Sequence, residues 1–306
     1  MPALENPLSG AAPSSAGMTG RATSAAVALR SWTNKQTVFL SSLLCCASLA
    51  VCAAASAQLR DDWEALPAPK AGLAIMAAVD EADSGFGDLR VQLRMVLRTR
   101  AGQESERALR IAQLEMANDG DRLMVVFETP RAIRGTALLS HAHLDREDDQ
   151  WLFLPAFNRT RKIASRNRSG PFVSSEFAFE DLTQPPLAKF TYSYLGKQPC
   201  GQAVCLAVER IPMDRYSGYS RQVVRVHPLY LRIEEIDYYN RAGVLLKTLT
   251  QSGFERYEER FWRPAQMVMV NHLTGKSTRL EWRDYRFRSG LSAQRDFSVA
   301  SLERQR

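Results

Sequence analysis

The 306-residue sequence predicts a mainly β protein built on a single strongly curved antiparallel sheet, an open β-barrel, with helices covering its concave face. Three observations carry that fold class. From Gly87 onward, apolar and charged residues alternate with a period of two over many short runs, which is the pattern of half-buried strands. Turn signals such as Asn118-Asp119-Gly120, Asn240 to Gly243, Ser252-Gly253, Arg263-Pro264 and Thr274-Gly275 separate these runs, as hairpin connections do. One face stays charged along many strands, which does not suit the lipid-facing wall of a transmembrane barrel. No repeat with a period of about 20–50 residues is present, so a propeller is not expected.

Residues 1–37 are rich in Ala, Ser, Gly and Pro and are expected to be disordered. Arg30 and Lys35 precede the apolar run Val38–Val51, which ends at Ala55-Ser56-Ala57 before Gln58. This is the layout of a signal peptide cleaved near Ala57-Gln58, with Met18 as an alternative start and a periplasmic product. An uncleaved anchor is the competing reading, but the run is short and dense in Ala and Ser. Residues 58–306 then form one domain, with residues 1–57 as disordered leader and signal peptide.

The formal net charge of +7 favours anionic surfaces. The basic residues are scattered through strands and form no nucleic-acid motif, so nucleic acid is not an expected partner. Cys45, Cys46 and Cys52 fall in the N-terminal run; Cys200 and Cys205 remain. In an exported chain that pair reads as a disulfide. A two-thiol metal site would lack the further ligands that zinc needs.

In chain order, Trp63 to Ala82 reads as helix in its second half, with Pro69 in the first turn and Ala71 to Val79 apolar nearly all round. Val91, Leu93, Met95 and Leu97 face one way in the first strand, opposite Arg90, Gln92, Arg94 and Arg98. A weaker strand spans Arg107 to Ala117, and Leu123, Val125 and Phe127 face inward in the next. In the strand Gly135 to Asp145, Leu138, Ser140, Ala142 and Leu144 share one face, with His141 and His143 on the other as solvated histidines. That His pair has the spacing of a metal site, but no motif places a third ligand. Further strands are expected at 190–195, 204–211, 222–226, 230–239, 244–250, 254–261, 267–272 and 277–287, where Leu280 and Trp282 alternate with charged residues. Phe297 to Leu302 reads as a final helical turn.

The stretch Trp151 to Leu182 stands apart. An apolar strand stops at Pro155, and a basic run follows (Arg159, Arg161, Lys162, Arg166, Arg168). Gly170-Pro171 then leads into Phe172, Phe177, Phe179 and Leu182 set among Ser174, Ser175, Glu176, Glu180 and Asp181. A loop this long in a compact domain is usually a lid or a binding element. Exposing one Phe forgoes roughly 1.5–3 kcal/mol, so these side chains must bury. They do so either as a loop clamped to the core or as a flap over a cavity.

Trp151 to Ala156, Arg161-Lys162-Ile163, Phe172 to Phe177 and Glu180-Asp181-Leu182 together resemble the outer membrane lipoprotein-sorting family, relatives of the periplasmic lipoprotein carrier LolA. The resemblance spans residues 85–304. Ser174 stands where Gly is usual, and Glu176 where Asp is commoner; Ser lacks the freedom of Gly at positive φ.

The resemblance implies a LolA/LolB-like fold whose cavity holds the acyl chains of a lipid or lipoprotein. Wall candidates are Val91, Leu93, Met95, Leu123, Val125, Phe127, Leu138, Leu144, Leu280 and Trp282, and Phe172, Phe177, Phe179 and Leu182 are lid candidates. Met95, Met267 and Met269 would adapt to varied chains. Arg159, Arg161, Lys162, Arg166 and Arg168 would meet head groups, an acidic partner or only water. The alternative role is an accessory or sensor module on an RND/MMPL-type inner-membrane exporter or an envelope-stress system.

No G-x-S-x-G elbow, H-E-x-x-H helix, P-loop or dinucleotide glycine pattern occurs. Glu180-Asp181 and Asp148-Asp149 are carboxylate pairs of the kind that cap turns. The chain therefore reads as a monomeric binding protein, with no enzyme activity, cofactor or metal expected.

Overall fold

Thirteen strands form one antiparallel sheet that does not close into a barrel. The computed structural model describes residues 62–305; the expected signal peptide, its cleavage point, Met18, Cys45, Cys46 and Cys52 lie outside them. A meander runs outward through β1 (Asp88–Arg98), β2 (Glu104–Leu114), β3 (Arg122–Thr129), β4 (Ala137–His141), β5 (Asp149–Leu154) and β6 (Arg159–Ile163). The chain then crosses to the opposite edge of the sheet. A second meander returns through β7 (Phe190–Cys200), β8 (Ala203–Pro212), β9 (Tyr219–His227), β10 (Arg232–Asn240), β11 (Leu245–Tyr257), β12 (Phe261–Asn271) and β13 (Ser277–Phe287), which pairs with β1. β6 and β7 are therefore the two free edges.

The concave face carries the main core: Leu93, Met95, Leu109, Val125, Phe127 and Leu138 from the first meander, with Val208, Val224, Ile236, Leu249, Met269 and Leu280 from the second. Helix α1 (Ala68–Asp83) covers part of it. Pro69 occupies its first turn, and Ile75, Met76 and Val79 turn inward. The helix lies mainly against β7, and Gly72 makes that approach possible. A Cβ at Gly72 would stand 2.9 Å from backbone atoms of Ser193 and Tyr194. The disulfide joins Cys200 to Cys205 across the β7–β8 hairpin, with Cα atoms 5.8 Å apart.

The structure corrects the sequence reading in several places. The first half of the basic run is not loop: Arg159 to Ile163 is strand β6, paired with β5. Ser252-Gly253 and Arg263-Pro264 do not end strands. β11 and β12 run through them in register from Lys247↔Asn271 to Tyr257↔Phe261, and Gly253 takes φ +65° within the strand. Pro264 lies beyond the segment of β12 that pairs with β13, where a strand tolerates a missing N–H. The strand expected at Gly135 to Asp145 stops at His141.

Finally, not every helix covers the concave face. α2 (Ala293–Asp296) and α3 (Val299–Glu303) close the convex side of β3 to β5, where Phe297 and Leu302 pack on Met124, Val126, Leu139 and Phe153. His141 helps to hold them: its Nε2 lies 2.7 Å from the Phe297 carbonyl oxygen. His143 is 6% exposed, with its ring nitrogens 2.8 Å from Asp119 and 3.3 Å from Asp149. Neither histidine is a solvated surface group.

Gly72→Ala tests the helix–sheet contact. Helix propensity alone favours Ala by about 1 kcal/mol, whereas forcing a methyl against fixed backbone costs about 1–3 kcal/mol. The melting temperature should fall; a rise would show that α1 does not rest on β7 as described.

Candidate functional site

The concave side is wider than α1 and the crossing segment can fill, and a cavity of about 1250 Å³ remains. One wall comes from Val91, Leu93 and Met95 on β1, Leu109 and Ile111 on β2, Leu123 and Val125 on β3, and Leu280 and Trp282 on β13. Ile236, Leu249 and Met267 face it from the second meander, Val79 and Ala82 from α1, and Phe172, Phe177 and Leu182 from the crossing segment.

A polar row crosses the same face. Tyr192, Arg210, Gln222, Tyr238, Lys247 and Asn271 stand opposite one another in register from β7 to β12, and directly opposed residues share a face. The crossing segment is pinned along this row. Lys247 Nζ is 2.6 Å from Asp181 Oδ2 and donates to the Glu176 carbonyl oxygen at 2.9 Å. Asn271 donates to Glu176 Oε2 at 2.8 Å, and the Tyr192 hydroxyl to the Leu187 carbonyl oxygen at 3.0 Å.

The Asp181 and Lys247 side chains are 2% and 5% exposed. Asp181 also accepts from the Tyr219 hydroxyl at 2.7 Å and from the Ala178 N–H at 2.6 Å. Its neighbour Glu180 accepts from the Gly218 N–H and the Ser217 hydroxyl. Burial nevertheless raises the Glu180 carboxyl above the ordinary range. The pair Glu180-Asp181 therefore fastens the segment to the sheet. The Phe172 N–H donates to the Phe177 carbonyl oxygen at 2.7 Å across a small turn, in which Val173 and Ser174 take φ of +44° and +62°. Ser174 thus occupies the conformation that the family's usual Gly suits, at a steric cost of roughly 1–2 kcal/mol.

Charged groups gather at two rims. Arg168 sits 2.9 Å from Asp214 and 3.7 Å from Asp148, which also pairs with Lys189. At the β3 rim, burial pushes the Asp121 carboxyl up to about 6 despite a hydrogen bond from Gln113. Three buried polar atoms, Gln150 Oε1, Arg168 Nε and Trp282 Nε1, have no hydrogen-bond partner among the described residues, and all three residues line the cavity. Such orphans are met by water or by a ligand.

The structure divides the residues singled out from the sequence. Val91, Leu93, Met95, Leu123, Val125, Leu280 and Trp282 line the cavity, as does Leu144 at its rim, half exposed. Phe127 and Leu138 do not: they are packed solid, Phe127 against Phe172 with ring centroids 5.5 Å apart. Met267 lines the space, whereas Met269 is fully buried beside it.

Phe172, Phe177 and Leu182 line the cavity, and Phe179 packs edge-on against Phe172 outside it. Arg159, Arg161, Lys162 and Arg166 are exposed, but Arg168 is 8% exposed and turned inward. Lys162 lies 2.5 Å from Asp149. Against the upward push of burial, Lys162 and Arg146 hold the Asp149 carboxyl down to about 2. Sequence reasoning did not single out Arg210, Gln222, Tyr238 or Lys247; their shared row depends on strand register, for which no local signal exists.

A family model described as an uncharacterized protein matches residues 119–304. Curated proteins give no match. Among solved structures, an outer membrane lipoprotein-sorting protein domain from Vibrio parahaemolyticus is 40% identical, with a TM-score of 0.75 over 77% of this chain and 99% of its own. A DUF1329 family protein from Desulfovibrio piger is 25% identical, with a TM-score of 0.73 over 78% of this chain and all of its own. A LolA superfamily protein from Nitrosomonas europaea shares the fold at 18% identity, with a TM-score of 0.61 over 77% of this chain and 99% of its own.

Lys247→Met should destabilise the protein by about 3–5 kcal/mol in urea denaturation, because it strands a buried carboxylate. Adding Asp181→Asn should recover part of the loss; no recovery would mean that the pair is not coupled. Ser174→Gly should stabilise by about 0.5–1 kcal/mol, the relief of positive φ less the added freedom of the unfolded glycine. An unchanged or lowered melting temperature would count against the strained turn.

Proposed function

The chain belongs to the outer membrane lipoprotein-sorting protein family, and on that premise we propose that it is a periplasmic carrier that takes up acyl chains of a lipid or lipoprotein. The observation that carries this reading is the cavity. At about 1250 Å³ it exceeds the roughly 300–1,000 Å³ of small-molecule pockets, and its β1–β3 and β13 wall is lined mainly by apolar side chains. Hydrocarbon entering such a space gains about 0.8 kcal/mol for each methylene removed from water, and no reactive group is needed.

Phe172, Phe177 and Leu182 act in this proposal as a fixed cover, held by Asp181 and Glu180, that forms one side of the chain-binding space. The exposed Arg159 and Arg161 stand at a sheet edge and the exposed Arg166 in the turn that follows it, where positive charge meets anionic head groups. Docking to an inner-membrane exporter is the competing role, and the test below separates the two.

Native mass spectrometry of protein purified from periplasm should show bound lipid. Ile111 and Leu123 face the cavity without being fully buried, so Ile111→Trp or Leu123→Trp should occupy it while sparing the packed core. Either variant should weaken binding of an acyl-chain probe at least tenfold, about 1.4 kcal/mol, with little change in melting temperature. A lipid-free wild-type protein that ignores acyl probes yet captures an exporter would overturn the carrier reading.

A further inference from the structure

We infer that Arg210 is an anion seat inside the cavity, and that the ligand is an acyl amphiphile whose oxyanion head, carboxylate or phosphate, rests against the polar row. This rests on the carrier reading and narrows its ligand class.

Arg210 is the one charged member of the row that the crossing segment leaves unmatched among the described residues. Lys247, Asn271 and Tyr192 each meet a carboxylate or carbonyl from that segment. The Arg210 Nε donates to Gln222 Oε1 at 2.6 Å, and its guanidinium lies 4.9 Å from the Phe190 ring centroid. No carboxylate among the described residues forms an ion pair with it. Asp181, which contributes to its electrostatic surroundings, is already engaged by Lys247, Tyr219 and Ala178.

Three other arginines that line the cavity each have a carboxylate partner: Arg168 pairs with Asp214, Arg232 with Glu234 and Arg263 with Asp83. Arg210 is only partly exposed, and what it is exposed to is the cavity it lines. Burial accordingly pulls its pKa below the usual arginine value.

A buried guanidinium without a counter-charge is strongly unfavourable, and its planar fork matches carboxylate or phosphate oxygens. With Arg210 Nε bound to Gln222, no hydrogen bond among the described residues engages the two terminal nitrogens, which remain as donors on a residue that lines the cavity. Gln222, accepting through Oε1, keeps its own amide N–H groups, and both residues line the cavity beside Tyr238. Polarity is thus sorted within one space. A cation and amide donors lie on the β8–β10 side, and the hydrocarbon surface of β1–β3 and β13 lies on the other. An amphiphile with a charged head and an acyl tail fits this division; a neutral hydrocarbon would leave Arg210 unpaired.

The test compares three probes sharing an oleoyl chain: oleate, oleoyl-lysophosphatidylglycerol and neutral monooleoylglycerol, each titrated into the delipidated protein. At least one anionic probe should bind tenfold or more tighter than the neutral one, and which one does so identifies carboxylate or phosphate as the head. Arg210→Gln should abolish that preference while leaving monooleoylglycerol affinity within about twofold. Arg210→Lys, which keeps charge but loses the fork, should retain part of it. Arg98→Gln, on the exposed end of β1, should change nothing.

Equal binding of charged and neutral probes by the wild type, or a preference that survives Arg210→Gln, would overturn the anion seat and leave the carrier reading standing. Failure of all three probes would remove both. If Arg210→Gln does not fold, Arg210→Lys and Gln222→Leu decide the matter: an undiminished preference in both overturns the seat.

Discussion

A buried ion pair, Lys247 with Asp181, holds together what the topology alone would leave loose. Two meanders share a seam at β1 and β13, so the chain must pass from one free edge of the sheet to the other. Residues 164–189 make that passage over the concave face. A crossing of that length needs anchors at fixed points, and it gets them from the sheet: Lys247 on β11, Asn271 on β12 and Thr278 on β13. A buried ion pair adds little net stability over a well-packed apolar substitute. Its use here is positional, because a lysine head reaches one carboxylate and one carbonyl in a way that no hydrophobic contact could specify. The Glu-Asp-Leu and Ser-Glu-Phe residues of the family pattern thereby acquire a physical role, which is to hold the cover in place.

That arrangement reconciles the two readings of the segment. It is clamped, since Phe172 and Phe177 belong to the main core, and it also borders open space, since both line the cavity. The basic run just before it has a structural use as well. β6 is an edge strand, and an edge with unpaired backbone groups invites pairing with another chain. Arg159, Arg161 and Lys162 place charge along that edge. At the other edge β7 is backed by α1 and carries Pro199 near its end, which removes a donor from the exposed ladder.

How much of this was legible in the sequence depended on range. Alternation located β1 and β13 because each has one face on the core and one carrying charged side chains. It failed at β6, where Arg161 and Lys162 are both exposed and no alternation survives. It also failed at Gly253 and Pro264, which resemble turns locally but sit inside long ladders that partner strands enforce. The near-continuous apolar run Leu123 to Phe127 held a signal of burial on both faces. That burial comes from Phe297 and Leu302, far along the chain. Phe127 and Leu138 face the correct side of the sheet, but whether such a residue lines a void or fills it depends on what stands opposite. For Phe127 that is Phe172, and no local pattern discloses the pairing.

The openness of the sheet bears on how the interior is kept. In a closed barrel, strand number and stagger fix the bore through backbone hydrogen bonds. Here β6 and β7 never meet, so the width of the interior is set by side chains: Asp181 on Lys247, Glu176 on Asn271, and α1 resting on β7 through Gly72. Each of these contacts is worth about 1 to a few kcal/mol, far less than a closed ring of ladder bonds. The width of such an interior rests on individual anchors and not on the strand ladders. The lining is suited to this, because Met95 and Met267 fill irregular gaps with little rotamer strain, and the unpartnered Gln150, Arg168 and Trp282 atoms already lack the contacts a finished core would supply.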